Sequence, residues 1–208
     1  MTEMSQEHRI TDVATLERLY GKPAGAAVAK EIDHLHPHYQ RMILASPFAV
    51  LATNGPGGLD ASPRGDAPGF VAVENEKTLL LPDRPGNNRI DSLRNILFDP
   101  HVALLFLIPG IGETLRVNGR AAICVDPALL ERFKVNEKLP RSVLVISVDT
   151  VFFQCSRAIS RSRLWDPAQH TERASLPSLG RMVADLSRGF DAESYDKGLY
   201  DRLRNSLY

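Results

Sequence analysis

The chain has 208 residues, 43% of them hydrophobic, enough for one large domain or for a domain with helical extensions. Its 25 basic residues balance 25 acidic ones, which argues against a nucleic-acid binder held by a general basic field. No apolar run approaches the roughly 20 residues of a membrane span, the first residues (MTEMSQEHRI) lack the apolar segment of a signal peptide, and Cys124 and Cys155 form no CxxC pair, so a cytoplasmic protein without a membrane partner is expected.

Residues 1–46 read as a helical N-terminal extension. Val28, Ile32, Leu35, Tyr39 and Met42 recur at steps of four and three, and Pro37 marks a kink or a new first turn. His34, His36 and His38 alternate, and on a helix residues two apart diverge by about 200°, too far to share one metal ion. Residues 48–53 (FAVLAT) form a short strand, NGPGG at 54–58 a turn, and 59–64 (LDASPR) a second strand with an edge or bulge at Pro63. Strands at 69–73 and 78–82 follow, joined by the turn ENEK. The segment PDRPGNNRIDSLRNILFDP opens from a loop into a helix near Asn87, with Ile90, Leu93 and Leu97 on one face.

Residues 101–108 read as a buried strand in which His101 is a hydrogen-bonded structural histidine. After the turn PGIG, a long strand at 113–125 puts Leu115, Val117 and Gly119 on one face. A short helix at 127–134, a plain connection at Leu139-Pro140-Arg141, and strands at 142–148 and 151–155 come next. Residues 171–208 form a C-terminal helical segment, with Leu179, Met182, Val183 and Leu186 on one side. Six or seven short strands with one inserted helix predict a mainly β fold with helical additions, a closed antiparallel barrel over residues 47–170. A parallel α/β sheet would need helices between most strands.

Three stretches carry candidate chemistry. In Asp83-Arg84-Pro85-Gly86-Asn87-Asn88-Arg89 a strand ends, a Pro-Gly turn frees backbone amides and a helix begins. Helix N-termini attract phosphate, and Arg84 and Arg89 bracket the point with guanidinium forks suited to phosphate oxygens. An Asn-capped surface helix with solvated arginines would use the same residues. In Ser62-Pro63-Arg64-Gly65-Asp66, proline and glycine around an arginine fit a bulge aiming Arg64 and Gly65 at a ligand, or an ordinary edge-strand ending. The third stretch, Gln154-Cys155-Ser156-Arg157 and then Arg161-Ser162-Arg163-Leu164-Trp165, fits a lid over a planar anionic ligand, or a polar connector with one packed indole.

The strings ASPRGDAPGFVAV, TLLLPDRPGNNRIDSLRNIL and LLFLIPGIGETLRVNGRA, in this order and spacing, resemble the FMN-binding proteins related to pyridoxamine 5'-phosphate oxidase. The resemblance covers about residues 20–170. It implies a split antiparallel β-barrel that forms a homodimer with an FMN site at each side of the interface. The strand carrying Arg64 resembles the one lining the isoalloxazine ring, and Pro82, Asp83, Asn88 and Arg89 resemble the phosphate and ribityl site. Thr114 and Arg116 match positions supplied by the partner subunit, and Gln154, Ser156 and Trp165 match the C-terminal flavin contacts. Two departures from the pattern bear on function. The Arg-Lys pair that grips the flavin phosphate in the classical oxidase is Asn88-Arg89 here, with Arg84 as a substitute, and the classical Arg-His substrate motif has no counterpart after Trp165. The resemblance therefore implies an FMN-dependent oxidoreductase acting on a small molecule that it does not identify; Arg157 and Arg163 are, by their own chemistry, further flavin- or substrate-binding candidates. A non-catalytic flavin or haem carrier is the alternative, since a fold does not dictate its chemistry.

Overall fold

A computed structural model describes residues 8–208, in two compact units divided between Glu31 and Ile32. Among its described residues the first unit holds two short α-helices, α1 (Val13–Tyr20) and α2 (Gly25–Ala29). Asp12 caps α1 by accepting a hydrogen bond from the Thr15 amide at 2.8 Å, and Gly21 ends it at φ 72°, where a side chain would be strained.

The second unit opens with α3 (Pro37–Ala45), so of the two outcomes expected at Pro37, a kink or a new first turn, the structure has the new first turn. Ile32 makes an isolated antiparallel bridge with Val151, and Pro37 occupies the first turn of α3, where its missing N–H costs nothing. His36 caps that helix through Nδ1, which accepts the His38 amide at 3.2 Å. Strands β1 (Phe48–Gly55), β2 (Gly58–Gly65), β3 (Ala72–Asn75) and β4 (Thr78–Asp83) follow. The third expected strand began too early: Phe70 and Val71 are buried before the ladder starts.

Beyond β4 lie α4 (Asp91–Phe98), β5 (His101–Leu107), β6 (Thr114–Cys124), α5 (Pro127–Arg132), β7 (Ser142–Gln154) and α6 (Arg157–Ser162). The two strands expected between 142 and 155 are one. Asn118 pairs with Thr150 and Gly119 with Val148, so Asp149 is accommodated as a bulge rather than a break. Three helices end the chain, α7 (Leu179–Leu186), α8 (Ala192–Lys197) and α9 (Leu199–Ser206). The apolar side of α7 is not core; Leu186 is 89% exposed.

All seven strands join one antiparallel sheet in the order β2-β1-β5-β6-β7-β4-β3. No ladder links β2 to β3 or β4, so the sheet is not closed as the strand pattern suggested; it is the split antiparallel barrel that the family resemblance implied. The edge strands explain the opening: β3 has four residues and β2 carries Pro63, which cannot donate to a further ladder. Alternate residues of the strands, among them Leu51, Leu79, Leu81, Leu104, Phe106, Leu115, Val117, Leu144 and Ile146, fill the core with Leu35 and Ile43. No helix among the described residues is long and apolar enough to cross a membrane.

Candidate functional site

The split creates a cavity of about 480 Å³ between β2 and the end of β4. Because side chains alternate along a strand, Asp60, Ser62 and Arg64 share the half-buried face of β2 and line one wall. Pro82 through Asp91 form the opposite wall, Ser92 and Leu93 of α4 extend it, and Arg141 and Ser142 at the start of β7 complete it. Four arginines (Arg64, Arg84, Arg89, Arg141) and three aspartates (Asp60, Asp83, Asp91) therefore surround one space.

Arg64 donates to the Ser62 hydroxyl at 2.6 Å and to the Pro63 carbonyl at 2.9 Å. Burial lowers its pKa, against the opposing charges of Asp83 and Asp60. Burial raises the Asp83 pKa above the ordinary carboxyl value, although Arg64 and Arg141 pull it the other way. Ser142 is 5% exposed, and its hydroxyl has no hydrogen-bond partner among the described residues. A buried hydroxyl beside a cavity without a protein partner is a polar position of the kind that an ordered water or a ligand atom fills.

The wall around Asn88 differs from the sequence expectation. The helix starts at Asp91, not near Asn87, because Asn88 (φ 59°) and Ile90 (φ 55°) are both left-handed and keep the chain out of the helical region. Arg89 thus lies before the helix, not in its first turn; it pairs with Asp91 at 2.7 Å and is exposed. The helix is also rotated about its axis relative to the expected face: Ser92 and Ile96 are buried, whereas Leu97 is 79% exposed. Arg84 turns its Nε to Asp66 at 2.9 Å and an Nη to the Phe133 carbonyl at 2.7 Å, so two of its five donors are engaged within the protein. Arg141, read from sequence as part of a plain connection, donates instead to the Asn88 side chain at 2.9 Å. Its signal was absent locally, because only the β4–β7 ladder, with Asp83 opposite Ser142, brings it to the loop.

Of the residues expected from sequence, Arg64, Gly65, Pro82, Asp83, Arg84, Asn88 and Arg89 line the cavity, and Thr114, Arg116, Gln154, Ser156, Arg157, Arg163 and Trp165 do not. Several of the latter gather near the start of β6. Thr114 lies opposite Gln154 and donates to its side-chain oxygen at 3.0 Å. Gly112 approaches Ser156 so closely that an added Cβ would lie 2.6 Å from the serine Cβ, and the Trp165 indole donates to the Ile111 carbonyl at 2.8 Å. Arg116 stacks on Phe152, directly opposite in the ladder, and its Nε is buried with no hydrogen-bond partner among the described residues. Arg163 is tied to Asp166, and Arg157 sits on α6.

The sequence profile of pyridoxamine 5'-phosphate oxidase matches residues 35–155, more than half of the chain and the whole of both residue groups' strands except for the last contacts after β7. The chain belongs to the pyridoxamine 5'-phosphate oxidase family. No curated protein matches the sequence. Among solved structures, HupZ of Group A Streptococcus is 19% identical, with a TM-score of 0.48 over 58% of this chain and 94% of that one. The general stress protein 26 of Bacillus anthracis is 19% identical, with a TM-score of 0.42 over 56% of this chain and 93% of that one.

Proposed function

We propose that the cavity at the split binds FMN and that the protein is an FMN-dependent oxidoreductase acting on a small molecule. The observation that carries this reading is the donor set of the cavity: Ser62 and Arg64 on one strand face, Arg89 and Arg141 around the loop, and the partnerless Ser142 hydroxyl. Guanidinium forks and hydroxyls suit a phosphate and a polyol chain. Haem fits this donor set less well, because among the described residues no histidine, cysteine, methionine or tyrosine lines the cavity to hold iron.

When bound, FMN supplies hydride-transfer chemistry, and the protein supplies position and electrostatics. Arg89 and Arg141 hold the phosphate end, with Asn88 kept in place by Arg141 and the Arg84–Asp66 pair fixing the base of the loop. Pro82, Asp83 and the Arg64–Gly65 end of β2 line the ribityl and ring end. Thr114, Arg116, Gln154, Ser156 and Trp165, which stand apart from the cavity of their own chain, complete the site of a second copy in a homodimer, with Arg157 and Arg163 toward the substrate.

The test is the visible spectrum of the purified protein and chromatography of the ligand it releases on heating, which should be yellow and FMN respectively. Mixing the loaded protein with NADH, NADPH or other donors then separates an enzyme, which turns over, from a carrier, which does not. A Ser142→Ala variant is expected to weaken FMN binding roughly tenfold, while stabilising the cofactor-free protein by about 1 kcal/mol, since an unsatisfied buried hydroxyl is removed. Unchanged FMN affinity in that variant would take Ser142 out of the site.

A further inference from the structure

The cavity lies between β2, at one end of the sheet order, and β4, next to the other end, and no ladder holds the two at a set distance. One side-chain cluster does span them. Asp66, next to the end of β2, pairs with Arg84, next to the end of β4, at 2.9 Å, with side chains 6% and 16% exposed. Tyr208 covers the pair: its hydroxyl donates to the second Asp66 oxygen at 2.5 Å, and the Arg84 guanidinium lies 5.4 Å from its ring centroid. The Phe133 carbonyl accepts from Arg84 at 2.7 Å, and Lys138 donates to the Tyr208 main-chain oxygen at 2.7 Å. Four segments distant in sequence thus meet at one point on the rim.

The geometry points to a clasp: Asp66, Arg84 and Tyr208 together fix the separation of β2 from the 83–91 wall, and so set how tightly the cavity closes on its ligand. Arg84 is a positioning residue in this account, because its engaged donors bind the protein rather than the ligand. The charge states agree with a closed clasp. Burial opposes ionisation of Asp66, yet hydrogen bonds from Tyr208, the Ala67 amide and Arg84 outweigh it and hold its pKa below the ordinary value. Tyr208 is the point of attack for an experiment, since removing Arg84 or Asp66 would strand a buried charge and risk unfolding.

The inference rests on the FMN reading only for its binding arm. Hydrogen–deuterium exchange of the cofactor-free protein is the primary measurement. Tyr208→Ala should accelerate exchange of amides 84–91 while leaving β5 and β6 unchanged, and Tyr208→Phe, which keeps the ring over Arg84 and loses the hydroxyl, should give a smaller acceleration in the same place. In titrations with FMN, affinity should fall roughly tenfold in Tyr208→Ala and less in Tyr208→Phe. Unchanged exchange at 84–91 in both folded variants would overturn the clasp, as would acceleration spread evenly over the sheet. Accelerated exchange with full FMN affinity would overturn its control of the cavity. Failure of the unaltered protein to bind FMN would overturn the cofactor assignment and leave the exchange result to decide the clasp.

Discussion

Among the described residues, Asp83 differs from the other perturbed carboxyls in the direction of its shift. Asp33 and Asp99 are held down to about 2 by hydrogen bonds, from Lys77 and Asn54 first among them, and favour the fold only when ionised. Asp83 is pushed up by burial, so the folded protein binds its proton more tightly than the unfolded chain. Its contribution is complete below the ordinary value of 3.8 and is lost as pH rises through the raised value. An Asp83→Asn variant, always neutral, should match the parent near pH 4 in urea denaturation of cofactor-free protein and exceed it at pH 7. A stability difference that does not change with pH would mean that Asp83 ionises at no cost in the folded state. At this scale the sequence marked Arg64, Asp83 and Arg89, because strand ends and turn residues advertise a loop over a ligand. It was silent about Arg141 and Ser142, whose importance comes from pairing with a strand some 60 residues earlier.

Among the elements, β6 and β7 carry the largest contact in the sheet and also its tightest constraint. Where the register shifts between Asn118 and Gly119, β7 comes so near that a Cβ on Gly119 would sit 2.1 Å from the Ser147 carbonyl oxygen. Backbone cannot withdraw as a flexible side chain would, so Gly119→Ala is expected to cost roughly 3 kcal/mol in thermal or urea unfolding. Gly57→Ala, in the β1–β2 turn with nothing within 4 Å of the added atom, is the control and should stay within about 0.5 kcal/mol of the parent. A small effect at Gly119 would show that the bulge relaxes. Alternation of apolar residues made most strands legible. The face of α4 was not, since two left-handed residues before it shift the helix start by about one turn and rotate the buried side.

For the whole molecule, the sheet's outer surface poses a requirement of its own. Val50, Leu105, Arg116 and Phe152 lie side by side across β1, β5, β6 and β7, half-buried and facing away from the core. An apolar row around a half-buried arginine side chain fits burial against a second copy. In the homodimer proposed above, FMN that binds only the assembled site stabilises the dimer by mass action. Sedimentation over a wide dilution range should therefore show FMN released as dimers dissociate, and excess FMN should move dissociation to lower protein concentration. A monomer that retains full FMN occupancy would exclude a shared site.

Strand spacing, turn residues and three short strings were enough to specify a family, a mainly antiparallel fold and the two segments that face each other across the cavity, because each of these is encoded by neighbours in sequence. The opening of the barrel was decided by tertiary structure, through the short β3 and the proline of β2 left at opposite ends of the ladder order. So were the merger of the last two strands around Asp149 and the capture of Arg84 by Asp66. Local patterns report which way a residue faces along its own strand; they carry no record of which distant strand or side chain will lie against it. That is why Arg64, Asp83 and Asn88 could be named from the chain, while Arg141, Ser142 and the ion pair and tyrosine beside them became visible only once it was folded.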